Sequence, residues 1–396
     1  MRRRSPAAAL AAGVLGVATA LAGCESPVPF YPPGEATADA PVVAIGGAAP
    51  YVPPKASAAS GVPDPRVPLP SPPPGGSPPG PGTTTPVRQA PIRLYVANGP
   101  EIDVIDPATA RIVRRFGAGP ATTRLVPSFD LRRLWAIDLA HGTLTPVAPR
   151  SGRLGRPVPA TEPAGLYFTP DGRDALVLAG RARRLDVRDP RTMRPRVSVP
   201  LPCAAGHADF TPDGTTLLAS CGRAGRLLRV DVARRRITGT VRLPAGAHPG
   251  DLRLSPDGSR FYVADPVRGG VWVIAAQPTV GPPGFVPTAP GARGLAVDRD
   301  ARRLFVVGDG TLTALDLTGR GAAVRWRLPR GGSPAPGGIS ADGSQLWLAD
   351  AAGMVYAVST RTGRTLREVR VGGHPSGLIV HPQPGRYSLG GTGLYR

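Results

Sequence analysis

The sequence predicts an all-β fold: a seven-bladed β-propeller, preceded by an N-terminal secretion signal with a lipobox and by a disordered Pro-rich linker. Three observations predict it. A short stretch keeps returning, clearest at Ser255–Asp265, SPDGSRFYVAD, where a Pro-Asp-Gly turn leads into an alternating apolar strand that ends in Asp. Its copies recur at about 40 to 44 residues, through Tyr95, Trp135, Val177, Leu218, Tyr262, Phe305 and Trp347, which is the period of a four-stranded propeller blade. The repeat region also holds no long segment of helical period, while β-branched residues and Gly, Pro and Asp boundaries favour strands throughout.

Each repeat carries four strand-like pieces. In the clearest copy, strand A is Pro249 to Leu254, strand B Arg260 to Ala264, strand C Gly270 to Ile274, and strand D falls around Gly284 to Pro287. The preceding copy marks C and D better, as RLLRVDV, a turn at Ala233 to Arg235, and ITGTVRL. The PDG sequence suits a tight turn because Pro presets φ and Gly accepts positive φ. Further copies are TPDGRDALVLAG from Thr169, TPDGTTLLASC from Thr211 and SADGSQLWLAD from Ser340, with degenerate ones from Ser128 and Asp298.

The repeats start out of phase. The chain begins on a B strand, IRLYVAN at Ile92 to Asn98, and ends on an A strand, SGLIV at Ser376 to Val380. Pairing the two completes a seventh blade and leaves no open edge, which matters because unpaired strand edges invite aggregation. The expected domain map is a signal peptide at 1–23, a lipidated Cys and linker at 24–90, the propeller closed by its first and last strands at 91–390, and a tail at 391–396.

LYVAN at Leu94 to Asn98, DVIDPATARIV at Asp103 to Val113, SPDGSRFYVAD and VGGHPSGLIVHP at Val371 to Pro382 together resemble the YVTN-type β-propeller repeat. The resemblance covers roughly Ile92 to Leu389. It implies the fold, and it leaves function open, because propellers of this type include binding proteins, surface proteins and enzymes.

At the N-terminus, Arg2 to Arg4 form a basic region and Ala7 to Ala22 an apolar, Ala-rich one, the pattern of a secretory signal. It runs into Leu21-Ala22-Gly23-Cys24, which resembles a bacterial lipobox. That resemblance implies cleavage before Cys24 and acylation of its thiol, palmitate-type chains included. Two acyl chains hold a protein stably on a membrane, at about 0.8 kcal/mol per buried CH₂. The expected place is therefore the outer face of the cytoplasmic membrane. Glu25 to Ala90 is rich in Pro, Gly, Ser and Ala and too poor in apolar periodicity to build a core. In polyproline II at about 3.1 Å per residue it would extend on the order of 150–200 Å, a semi-stiff stalk.

The formal net charge is +21, from 48 Lys+Arg against 27 Asp+Glu, and Lys55 is the only lysine. Such a balance can signal nucleic-acid binding. Export and the lack of an aromatic-plus-basic stripe argue against it, and the Arg bias of a high-GC bacterial genome accounts for the composition. Arg132, Arg133, Arg302, Arg303, Arg234, Arg235, Arg236, Arg320, Arg361 and Arg364 sit at turns that share one propeller face. That face could meet an anionic wall polymer or lipid headgroups through attraction that salt screens. Cys203 and Cys221 remain as an even pair in an exported domain and are expected to form a disulfide.

The opposite face carries the candidate contacts. Aligning the A strands places Ala121, Glu162, Ala204, His248, Gly291, Ser333 and His374 in one ring at the channel mouth. The ends of the B strands place Asn98, Asp138, Gly180, Cys221, Asp265, Gly308 and Asp350 in a second. Glu162, His248, His374, Asp138, Asp265 and Asp350 are the side chains with polar chemistry for a ligand, although Asp and Asn at strand ends also bond their own backbone as Asx-turns. His207 falls three positions past the ring, against Asp251. No HxH, HExxH, GxSxG or phosphate loop appears, so no catalytic residue, metal or cofactor is assigned. The expected function is a binding or scaffold module for a protein, glycan or small ligand, with a monomer expected, an envelope protein or anionic wall polymer as partner and no nucleic acid. The alternative is a propeller enzyme, lactonase-like or quinoprotein-dehydrogenase-like, or an envelope assembly factor.

Overall fold

The computed structural model describes residues 91–382, apart from 279–280, 320, 322 and 341. The signal, Cys24, the linker and the tail lie outside the described residues. Those described form antiparallel strands and a single 3₁₀ turn at Gly222–Ala224.

The strands make six hydrogen-bonded sheets, where the repeat count predicts seven. Five have four strands in chain order, running from Pro163–Phe168, His207–Phe210, Leu252–Leu254, Gly294–Val297 and Ala335–Ile339 outward. The sixth has six strands: Gly377–His381, Arg93–Asp106, Arg111–Pro127, Leu134–Asp138, Thr143–Val147 and Val158–Pro159. The physical reason for the lower count lies in two long strands. Arg93–Asp106 has 14 residues and Arg111–Pro127 has 17, and each continues through a point where the repeat expects a turn. Gly99 pairs with Thr122, and Thr122 pairs with Asp138, so the ladder crosses the expected boundary between two blades without a break. Gly99, at φ 63°, bends the first of these strands.

The individual repeats follow the pattern closely. Strand D of the clearest copy is Gly284–Pro287, and strand B is Arg260–Asp265. Strand A is shorter than its apolar pattern, Leu252–Leu254, since the stretch before it opens on Pro249, which has no N–H to give a ladder. Each Ser- or Thr-led turn is tied in the same way. In the clearest one, Gly258 N–H donates to the Ser255 carbonyl at 2.9 Å, and the Asp257 carboxylate accepts from Ser259 N–H at 3.0 Å.

Buried apolar side chains fall into seven clusters. Six of them lie between one sheet and the next. The seventh lies inside the six-stranded sheet, where Tyr95, Ile102, Val104 and Ile379 meet Leu125, Leu134, Ala136 and Val147. The first strands of neighbouring sheets touch one another and ring the axis.

The two ends of the described chain pair in register. Arg93 to Ala97 lie opposite His381 to Gly377, antiparallel. Leu378 is fully buried there, and a Cβ on Gly337 would stand 2.0 Å from its Cγ, so only glycine lets the neighbouring strand approach. Removing most of that side chain should cost about 2–5 kcal/mol, the range for buried Leu→Ala. Leu378→Ala is therefore expected to lower the urea midpoint strongly; a change below about 1 kcal/mol would mean that the closing strand packs loosely.

Candidate functional site

In three repeats the residue that ends strand B latches the loop that leads into strand A. Asp265 accepts from His248 N–H and the Trp272 indole N–H, both at 2.9 Å, on one oxygen. Its other oxygen accepts from Val267 N–H at 3.1 Å and Arg268 N–H at 3.0 Å. Asp138 accepts from Ala121 N–H at 3.1 Å and His141 N–H at 2.9 Å. Asn98 accepts from His374 N–H at 2.9 Å and donates to Asp103 at 2.8 Å. Glu162, at φ 43°, contributes its carbonyl to Gly180 N–H at 3.1 Å. In another repeat the tie is covalent: Cys203 and Cys221 are joined as a disulfide, with Cα atoms 6.0 Å apart.

Asn98, Asp138 and Asp265 thus spend their polar atoms on the neighbouring loops. Asp350 accepts from Ala352 N–H at 2.9 Å, an Asx-turn. The rings of His248 and His374 reach only nearby carbonyls, of Gly246 at 3.4 Å and Ala351 at 3.2 Å. Among the described residues no group of three or more His, Cys, Asp or Glu is placed to hold a metal ion.

A second constellation sits deeper, on the axis-lining strands, and ring alignment at the mouth misses it. Tyr167, His207, Asp209, Asp251 and Arg253 come from three consecutive sheets and are all buried, at 1–4% exposure. Asp209 accepts from Phe210 N–H and from Leu254 N–H in the next sheet, each at 2.8 Å. Asp251 holds the Arg253 guanidinium and accepts from Leu295 N–H, again one sheet on, at 3.0 Å. The Tyr167 hydroxyl accepts from Ala208 N–H at 3.0 Å. Each acid therefore staples its own sheet to the following one. The sequence signal is a charged residue inside a short apolar strand, as in HADF and DLRL.

Burial sets the charges of this group. It pushes Asp209 up to about 7, against the N–H groups of Leu254 and Phe210 and the Arg253 charge, which favour the anion. It pushes His207 down to about 3. His207 Nδ1 is 3.6 Å from Asp251, too far for a hydrogen bond, and Asp251 is already engaged by Arg253. The attraction of Asp251 for an imidazolium is therefore outweighed, and His207 is neutral at neutral pH. Burial likewise raises Tyr167 to about 12.

No family model matches this chain, and no curated protein matches it. Solved structures do. A periplasmic gluconolactonase of Pseudomonas aeruginosa is 21% identical, with a TM-score of 0.60 over 73% of this chain and 98% of that one. A functionally unknown protein from Desulfotomaculum acetoxidans is 16% identical, with a TM-score of 0.62 over 73% and 98%. The virginiamycin B lyase from Staphylococcus aureus is 15% identical, with a TM-score of 0.51 over 60% and 80%. These likenesses establish the fold: the chain is an all-β propeller. At such identities they carry no chemistry with them.

The two buried groups predict opposite pH effects. A depressed His pKa makes the unfolded chain bind the proton first, so stability is lost as pH falls from about 6.5 toward 3. A raised Asp pKa gives stability that is complete below about 3.8 and lost as pH rises through about 7. In His207→Gln only the second remains. Urea unfolding should show the stability gap to wild type moving in the variant's favour as pH falls from 6.5 to about 4; a gap that stays constant would contradict a neutral, buried His207.

Proposed function

We propose that this chain is an envelope-anchored extracytoplasmic propeller, tethered through lipidated Cys24, that serves as a binding or scaffold module. Its partner is a protein, glycan or small ligand met at the channel mouth, where the rims of Glu162, His248, His374 and Asp350 are presented. The observation that carries this reading is Asp265. Its carboxylate already accepts four N–H donors, so both oxygens are committed to holding the loop and neither is offered to a substrate. Asp138 and Asn98 are committed in the same manner. A mouth built this way is rigid and pre-formed, which favours binding because little ordering is left to be done on association.

A second reading, a lactonase-like enzyme, is favoured by the architectural likeness to a gluconolactonase and by an Asp209 that titrates near neutrality. Against it stands the burial of Asp209 behind two backbone donors. The propeller is also read here as seven repeat units, the six-stranded sheet counting as two. The seven hydrophobic clusters support this, since one of them separates the halves of that sheet.

Two measurements address the proposal. Cys24→Ala should move the protein from the membrane fraction to the medium, and full retention on the membrane would remove lipidation as the anchor. Purified chain should leave gluconolactone hydrolysis at the uncatalysed rate, whereas turnover abolished by Asp209→Asn would install the enzyme reading instead.

A further inference from the structure

A cleft of about 1100 Å³ opens beside the two ends of the described chain, with Pro91 and Pro382 in its wall. Arg93, Arg114, Arg132 and Arg150 line it, together with Tyr95 and His381, and none of its lining residues is acidic. The four guanidinium groups have one ion pair within 4.0 Å among the described residues, Arg93 with Asp106 at 3.5 Å, while Asp130 accepts from the Arg132 backbone N–H at 3.1 Å. Three of the arginines act on the Tyr95 hydroxyl, where they oppose the upward push of burial on that group. Four guanidinium groups facing a concave space repel one another, and the cost rises as water is excluded.

The cleft is built rather than left over. The Tyr95 hydroxyl donates to the Pro149 carbonyl at 3.2 Å, and the Arg114 guanidinium donates to the Arg150 carbonyl, so the loop at 148–150 is pinned against the strands. His381 is 7% exposed, stacks edge-on with Tyr95 at 5.8 Å, and its Nδ1 has no hydrogen-bond partner among the described residues. That nitrogen is itself buried, so it belongs to the packed wall of the cleft, and the arginines are the groups the cleft offers to a ligand. Burial also keeps that ring neutral, its pKa pushed down to about 4.

We infer that this cleft is a binding site for a phosphate-rich ligand, an oligophosphate or a stretch of phosphodiester chain, gripped by Arg93, Arg114, Arg132 and Arg150. Guanidinium forks match phosphate oxygens in pairs, and several phosphates at once are needed to balance four charges. The volume fits a ligand of several such groups and a concave shape suits a chain or small molecule better than a flat bilayer. The site lies at the chain ends and not at the mouth, so it stands whether or not the mouth binds a partner and whether or not Cys24 is acylated.

Inorganic trimetaphosphate, whose charge is constant between acid and neutral pH, is the probe. Titration calorimetry of the purified full chain in about 0.15 M salt, where diffuse attraction is screened, should show one saturable site. The Arg132→Gln/Arg150→Gln double variant should bind about tenfold more weakly or worse, as two charge-assisted contacts are lost. Arg234→Gln/Arg235→Gln, which removes two exposed arginines outside the cleft, should bind as wild type does, and both variants should melt like wild type. Absence of saturable binding would overturn the inference. So would equal weakening in the two double variants, which means diffuse attraction, or binding to phosphatidylglycerol vesicles without binding to trimetaphosphate, which means a planar membrane surface.

Discussion

Five residue pairs, from Arg93 opposite His381 to Ala97 opposite Gly377, join the start of this fold to its end. A sheet that ends in an unpaired strand presents a row of free N–H and C=O groups, and a ring of sheets built in sequence has two such edges unless they meet. Here the last strand supplies the inner edge that the first repeat lacks. Ser376 N–H extends the join by donating to the Ala97 carbonyl at 2.9 Å, and the side chains of Leu94, Val96, Leu378 and Val380 enter one buried cluster with Trp347 of the preceding sheet. The closure thus rests on backbone pairing and on packing together, and the rest of the ring is held only because neither edge is free to open.

Given a closed ring, the polar groups acquire defined tasks. Asp265, Asp138, Asn98 and the Cys203–Cys221 disulfide fasten loops to the ends of strands. The axial residues fasten each sheet to the next, Asp209 to Leu254 N–H and Asp251 to Leu295 N–H. Buried acids are costly, and satisfied ones return specificity of arrangement more than net stability. That the acids reach backbone donors in the following sheet explains why they lie on the inner strands, where adjacent sheets come closest. On the other side of the axis Gly337 approaches Leu378 closely, and the Arg299 guanidinium donates to the Ile339 carbonyl of the next sheet at 3.0 Å.

Much of this was legible in the sequence. The turn-strand repeat located nearly every strand because the alternation of apolar residues and the Gly at positive φ report local geometry directly. The phase offset between Ile92 and Val380 implied the join. The sheet count was not legible, because it depends on whether hydrogen bonding continues past Gly99 and through Thr122, and that is a matter of bend angle rather than residue type. The chemistry of the aligned strand-end residues was not legible: an Asp at a strand end reads alike whether it faces a ligand or its own loop, and the four donors around Asp265 show it serving the loop. His207 and Asp251 were seen to share a level, while Asp209, Tyr167 and the arginine cleft needed residues distant in sequence to be brought together.

The central claim is that the first and last strands close the ring, and hydrogen exchange tests it most directly. If they do, the ladder amides within 93–97 and 377–381 should exchange only with global unfolding, as slowly as those of the interior strand Thr216–Cys221. Exchange of the two end segments at low denaturant, well before that interior strand, would show the ring open at the join and would contradict the account.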